Sequence, residues 1–213
     1  MKRLTIITGH YGSGKSEFSI NLALQKKVDK LVDLDIVNPY FRSREVEDLL
    51  NKHNIEIISS PLKNALGSDL PYISRDAYLL FLNKEYRVIF DLGGSDVGAR
   101  VLRQFEDSID EDIDLLFCIN VFREKTNNFE NIITSINEIE ASGGIKVTGL
   151  INNSNLLRET KCEDILYSQE IISRVAKELN LKIIYTAVLS TLNCRNLEGE
   201  VIPLNLYLRK DWL

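Results

Sequence analysis

The sequence predicts an α/β fold: a doubly wound, mostly parallel sheet with helices on both faces. Runs rich in Ile, Val and Leu recur between segments whose apolar residues fall at helical spacing, the rhythm of strands alternating with crossover helices. Several runs are apolar throughout, as strands buried on both faces are. A glycine-rich loop also stands between the first such run and the first helical segment. At 213 residues the chain has the size of one domain, and residues 1–213 are read as a single unit with one core.

The first strand is expected over 4–8, where Leu4-Thr5-Ile6-Ile7-Thr8 runs into Gly9. Lys2 and Arg3 precede it, but the run ends in a glycine loop instead of a cleavage site, so it reads as a strand and not as a secretory signal. Further strands are expected over 31–35, 55–59, 88–92, 115–120, 147–152 and 183–188. Helices are expected over 15–27, 43–52, 74–83, 97–105, 128–141 and 164–179. Ala141-Ser142-Gly143-Gly144 reads as a helix stop, because glycine takes the left-handed conformation after a last turn at little steric cost. In such a sheet the ligand lies outside the carboxyl ends of the strands.

Hydrophobic residues make up 44% and charged residues 27%, which fits a soluble globular chain and excludes collagen-like and disordered classes. A net charge of -5 argues against nucleic acid as a partner, since phosphates call for clustered Lys and Arg. No run approaches the roughly 20 apolar residues of a membrane span, so no membrane partner is expected. Cys118, Cys162 and Cys194 are odd in number, far apart and without a Cys-x-x-Cys pair, which signals neither a disulfide framework nor a metal site and suits a cytoplasmic location. The two histidines, His10 and His53, leave little room for metal-hydrolase chemistry.

Gly9-His10-Tyr11-Gly12-Ser13-Gly14-Lys15-Ser16 matches G-x-x-x-x-G-K-[ST] in full, after an expected strand and before an expected helix. Glycines let backbone N–H groups approach phosphates, and the helix start adds unsatisfied donors and a positive dipole end. Lys15 is then the residue for the β- and γ-phosphates and Ser16 a magnesium ligand. The strand ending Phe90-Asp91-Leu92-Gly93-Gly94 delivers Asp91 to the magnesium shell and offers the Gly94 N–H to the γ-phosphate. In Leu31-Val32-Asp33-Leu34-Asp35 the two carboxylates share a face. Asp35, at the carboxyl end, is the candidate for positioning the attacking water or a magnesium-bound water, with Asp33 behind it.

Four stretches, Gly9 to Ser16, Val32 to Asp35, Val88 to Gly94 and Gly149-Leu150-Ile151-Asn152-Asn153-Ser154, resemble the MinD/ParA branch of P-loop ATPases. The resemblance implies ATP with Mg2+, Asp35 as the water-positioning acid, Asp91 as the Walker B acid and Asn153 as the residue holding adenine. It also implies a nucleotide-dependent homodimer, although His10 stands where dimerising members carry a second lysine. More closely, Gly-His-Tyr-Gly-Ser-Gly-Lys-Ser-Glu and Asp-Leu-Asp-Ile-Val-Asn-Pro-Tyr-Phe-Arg-Ser-Arg-Glu resemble a group of bacterial ATP-binding proteins whose role is not settled.

Two switch segments are expected, one over 36–44 with Tyr40, Phe41 and Arg42 exposed to a partner, the other over 95–100 with Asp96 and Arg100. The polar stretch 62–71, with Asp69, suits a second ligand. The tail from Leu204 alternates with period two and carries few basic residues, which favours packing on the domain over membrane targeting. Three functional readings stay open on these residues. The leading one is a slow magnesium-dependent ATPase that switches an unknown protein partner. The second is a small-molecule kinase or ligase using Arg42, Asp69 or Arg100, and the third is a nucleotide-dependent binding module with negligible turnover.

Overall fold

A computed structural model describes residues 1–34, 46–59, 75–94, 102–103 and 113–208. Its strands are β1 (Leu4–Thr8), β2 (Lys30–Leu34), β3 (Glu56–Ser59), β4 (Val88–Leu92), β5 (Ile113–Ile119), β6 (Gly149–Asn152), β7 (Ile183–Leu189) and β8 (Glu200–Leu204). They form one sheet in the order β3-β2-β4-β1-β5-β6-β7-β8, with every pairing parallel. The helices are α1 (Lys15–Lys26), α2 (Glu47–Lys52), α3 (Arg75–Leu82), α4 (Phe129–Gly143) and α5 (Cys162–Glu178), with a helical fragment at Leu102 and Arg103.

Alternation along β1 explains the two core layers. Leu4 and Ile6 pack in the layer that holds Phe81, Phe90, Ile132 and Ile136, whereas Ile7 packs in the opposite layer with Phe18, Ile20 and Tyr185. Successive strand residues point to opposite faces, so one central strand serves helices on both sides. Each fully buried large apolar side chain stabilises the fold by about 1.5–3 kcal/mol. The chain moves outward from β1 to β2 and β3, returns through β4, and then builds β5 to β8 on the other side of β1. The carboxyl end of β1 therefore lies where the strand order reverses, the crevice in which open α/β sheets bind ligands.

The stop after α4 is as expected. Gly144 has φ 73° and its N–H donates to the Glu140 carbonyl, the αL closure that glycine adopts without strain.

Two features differ from the sequence reading. β8 was not expected, because its five residues include Pro203 and alternate exposed with buried. A proline is tolerated there since, among the described residues, β8 is the sheet edge and pairs with β7 alone. The expectation of no disulfide is also corrected: Cys162 at the start of α5 is bonded to Cys194 in the β7–β8 connection, with Cα atoms 5.4 Å apart. A separation of 32 residues carries no local spacing signal, and only the folded sheet brings the two together. Closing a loop of that length stabilises by about 3–4 kcal/mol through the unfolded state. The cysteine argument for a reducing compartment falls with this bond.

Candidate functional site

The loop after β1 is shaped by glycine. Gly9, Gly12 and Gly14 have φ of 147°, 78° and 81°, a region closed to most residues with a Cβ. A Cβ on Gly9 would lie 2.3 Å from the Cys118 carbonyl oxygen on β5, so the loop leaves the sheet through a gap without room for a side chain. The Ser13 N–H donates to the His10 carbonyl across the bend at 3.2 Å. Gly14 is the N-cap of α1 and offers no side-chain acceptor to the first turn. The opening N–H groups of a 12-residue helix therefore face the loop uncapped, the arrangement that binds anions.

Lys15 sits in this loop 6% exposed. Its Nζ donates to the His10 carbonyl at 3.2 Å, and among the described residues it forms no salt bridge. The nearby thiol does not neutralise it: burial pushes Cys118 up to about 12 despite the opposing pull of Lys15, so Cys118 stays protonated at neutral pH. A buried ammonium with only a carbonyl for company is costly unless an anion joins it.

The parallel register sets Asp33 on β2 beside Asp91 on β4, and Asp91 beside Ile7 on β1. Paired residues share a face, so both carboxylates lie on the α1 side with Ile7. Asp91 is 2% and Asp33 4% exposed. The Ser19 hydroxyl, one turn into α1, donates to Asp91 Oδ1 at 3.3 Å. Ser16, half-buried, lies on the same stretch of helix three residues before it. Gly94 closes this side: a Cβ there would stand 2.6 Å from the Gly9 carbonyl oxygen and 2.7 Å from both Lys15 Nζ and the Tyr11 nitrogen. The strand-end turn thus rests directly on the loop. His10 turns its Nδ1 to the Tyr11 carbonyl at 3.1 Å, and the Tyr11 ring is 62% exposed. Asp35, Arg42, Asp69, Asp96 and Arg100, with both expected switch segments and the stretch 62–71, lie outside the described residues.

On the other side of the loop, Asn153 follows β6 and is 1% exposed. Its Nδ2 donates to the Ser13 carbonyl at 2.7 Å. That bond fixes the amide orientation, since only the NH2 side can donate to a carbonyl. Its Oδ1 is buried and, among the described residues, has no hydrogen-bond partner. Asn153 lines a small, partly open cavity beside Gly12 and Gly14, with Leu157, Leu204 and Leu206 among its walls.

Residues that the sequence reading passed over build much of this side. Arg123 spans the loop, its Nε donating to the Gly12 carbonyl at 3.0 Å. Asn120 holds the turn that carries it, accepting from the Arg123 N–H at 3.1 Å and donating through Nδ2 to the Asn155 carbonyl at 3.2 Å. Glu17, directly after Ser16, accepts from the Tyr207 and Leu208 N–H groups at 2.5 and 3.2 Å. The tail is thereby packed on α1 as far as residue 208, as its alternating pattern implied. Strand-end polar residues after 119 and 152 were the available signal, but nothing in the sequence says that these ends meet.

No family model matches the chain, and no curated relative does. Solved structures do. The cell division protein FtsY of Thermotoga maritima is similar over 87% of this chain and 61% of its own, at 18% identity and a TM-score of 0.54. FtsY of Mycoplasma mycoides is similar over 88% and 61%, at 16% identity and a TM-score of 0.54. The signal recognition particle receptor FtsY of Elizabethkingia anophelis is similar over 87% and 57%, at 17% identity and a TM-score of 0.52. The chain spans about three fifths of the length of these proteins. At such identities the likeness establishes the fold: an α/β P-loop NTPase domain with one parallel sheet. Among the described residues no helix is long and apolar enough to cross a membrane.

Proposed function

We propose that this chain binds ATP with magnesium and hydrolyses it slowly as a switch for a protein partner. The observation that carries the reading is the buried Lys15 ammonium, which among the described residues forms no salt bridge and lies at the uncapped start of α1. A polyphosphate supplies the missing charge and takes up the free N–H groups of the first turn.

Magnesium fits the oxygens present. Mg2+ keeps several waters and takes one or two protein oxygens together with phosphate oxygens. Ser16 and, through water, Asp91 would hold it, and among the described residues no group of three or more His, Cys, Asp or Glu offers a cage of its own. When bound, the ion neutralises charge on the β- and γ-phosphates. Ser19 meanwhile donates to Asp91, and Gly94, close to the Lys15 ammonium, would offer its N–H to the γ-phosphate. Asp35 as the water-positioning acid, the 36–44 and 95–100 segments as switches, and a MinD/ParA-type lineage with a nucleotide-dependent homodimer belong to the same proposal. A cytoplasmic location goes with it, with the Cys162–Cys194 bond then open to reduction.

Asn153 supports ATP over GTP. Its Oδ1, without a hydrogen-bond partner among the described residues, is an acceptor, which suits the 6-amino group of adenine, whereas guanine presents an acceptor oxygen at that position. Leaving that oxygen unpaired costs about 1–3 kcal/mol. Titration calorimetry with magnesium should therefore give ATP affinity roughly 5- to 100-fold above that of GTP. ATP and magnesium alone should also release phosphate slowly. Equal or tighter GTP binding would remove the adenine reading, and phosphate release only after a metabolite is added would replace the switch with a kinase.

A further inference from the structure

We propose that Arg123 is the base-stacking residue of this site, its guanidinium forming one wall of a slot for the flat face of the nucleobase. The assignment rests on the nucleotide reading above and adds a residue and a role to it.

Arg123 is placed by a built turn. The Asn120 side chain accepts from the Phe122 N–H at 3.0 Å, the Asn120 carbonyl accepts from the Arg123 N–H at 3.1 Å, and the Thr126 hydroxyl donates to the same carbonyl at 2.7 Å. From this turn the side chain reaches over the phosphate loop. Its Nε bonds the Gly12 carbonyl at 3.0 Å, and a Cβ on Gly12 would stand 3.7 Å from its Cδ and 3.8 Å from its Nε. The stem thus lies in van der Waals contact with the loop, and one hydrogen bond fixes the guanidinium there.

Arg123 also lines the partly open cavity bordered by Asn153, Leu157, Leu204 and Leu206, and among the described residues it has no carboxylate partner. A nucleobase has two apolar faces and a polar edge. The leucines and the guanidinium plane suit the faces, and Asn153 suits the edge. Arginine stacks on π-systems because its planar, weakly hydrated cation can lie flat on them, which lysine does not do.

The test compares ATP with inorganic tripolyphosphate, both with magnesium, on the unaltered protein, Arg123→Ala and Arg123→Lys, by calorimetry. Stacking predicts that Arg123→Ala loses roughly five- to thirtyfold in ATP affinity while tripolyphosphate affinity stays within about twofold. Arg123→Lys, which keeps charge and length but not the plane, should fall close to the Ala variant for ATP. Parallel loss of both ligands in Arg123→Ala, or full ATP affinity in Arg123→Lys, would make Arg123 a phosphate or loop-supporting charge and overturn the stacking role. Unchanged ATP affinity in both variants would overturn it as well. Failure of the unaltered protein to bind ATP at all would overturn the nucleotide reading and this role together.

Discussion

Lys15→Ala should lower ATP affinity by roughly 30- to 1,000-fold while the empty protein melts no lower than the unaltered one. The two halves have one cause. Lys15 is nearly buried, and among the described residues its ammonium donates to the His10 carbonyl and forms no salt bridge, so in the empty protein it is a desolvated charge, unpaired among those residues. Truncation removes that cost together with the ammonium. With nucleotide bound, the same truncation takes away the ammonium that faces the β- and γ-phosphates, a loss of about 2–4 kcal/mol for a buried hydrogen-bonded charge pair. Calorimetry and a melting curve on the same preparation check both. A structural lysine would behave differently, with stability falling and affinity unaffected.

Gly9→Ala should be among the most destabilising single changes in the domain, at about 3 kcal/mol or more. The added methyl would meet the Cys118 carbonyl oxygen at 2.3 Å, and the φ of 147° is poorly tolerated by alanine in any case. The obstacle is backbone on a central strand, not the end of a flexible side chain, so neither side can move aside cheaply. For a domain of this size the melting point should fall by about 6 °C or more. Gly12→Ala is the control. Its φ of 78° carries strain of about 1–3 kcal/mol, but its nearest new contacts are side-chain atoms of Arg123 at 3.7 and 3.8 Å, so it should melt several degrees above Gly9→Ala. Equal melting points would mean that the Cys118 contact does not govern the loop.

What the sequence made legible was local. β1 and β4 begin and end where their apolar runs do, because a buried parallel strand needs unbroken apolar residues and a glycine or acid to stop it. The phosphate loop was legible for the same reason, since Gly9, Gly12, Gly14, Lys15 and Ser16 act within one turn and their spacing is their geometry. Asn153 was reached through a family resemblance, and the bond of its Nδ2 to the Ser13 carbonyl shows how a residue 140 positions away comes to touch the loop. The base side was not legible. Arg123, Asn155 and Leu206 come from the ends of three strands, and no periodicity reports which strand ends adjoin. β8 was obscured by Pro203, a strand breaker except at an edge. The Cys162–Cys194 bond depends on the packing of the β7–β8 connection against α5, supported by Gln169, which accepts from the Glu198 N–H at 2.7 Å and donates to the Asn196 carbonyl at 3.2 Å.

The most direct measurement is a titration of the isotope-labelled protein with magnesium tripolyphosphate, following backbone amide resonances. If the turn from β1 into α1 grips the phosphate chain, the amides of Gly12, Ser13, Gly14, Lys15 and Ser16 should shift together and saturate with a single dissociation constant, with Gly94 following. Shifts that never saturate, or that centre on residues away from this turn, would contradict the account.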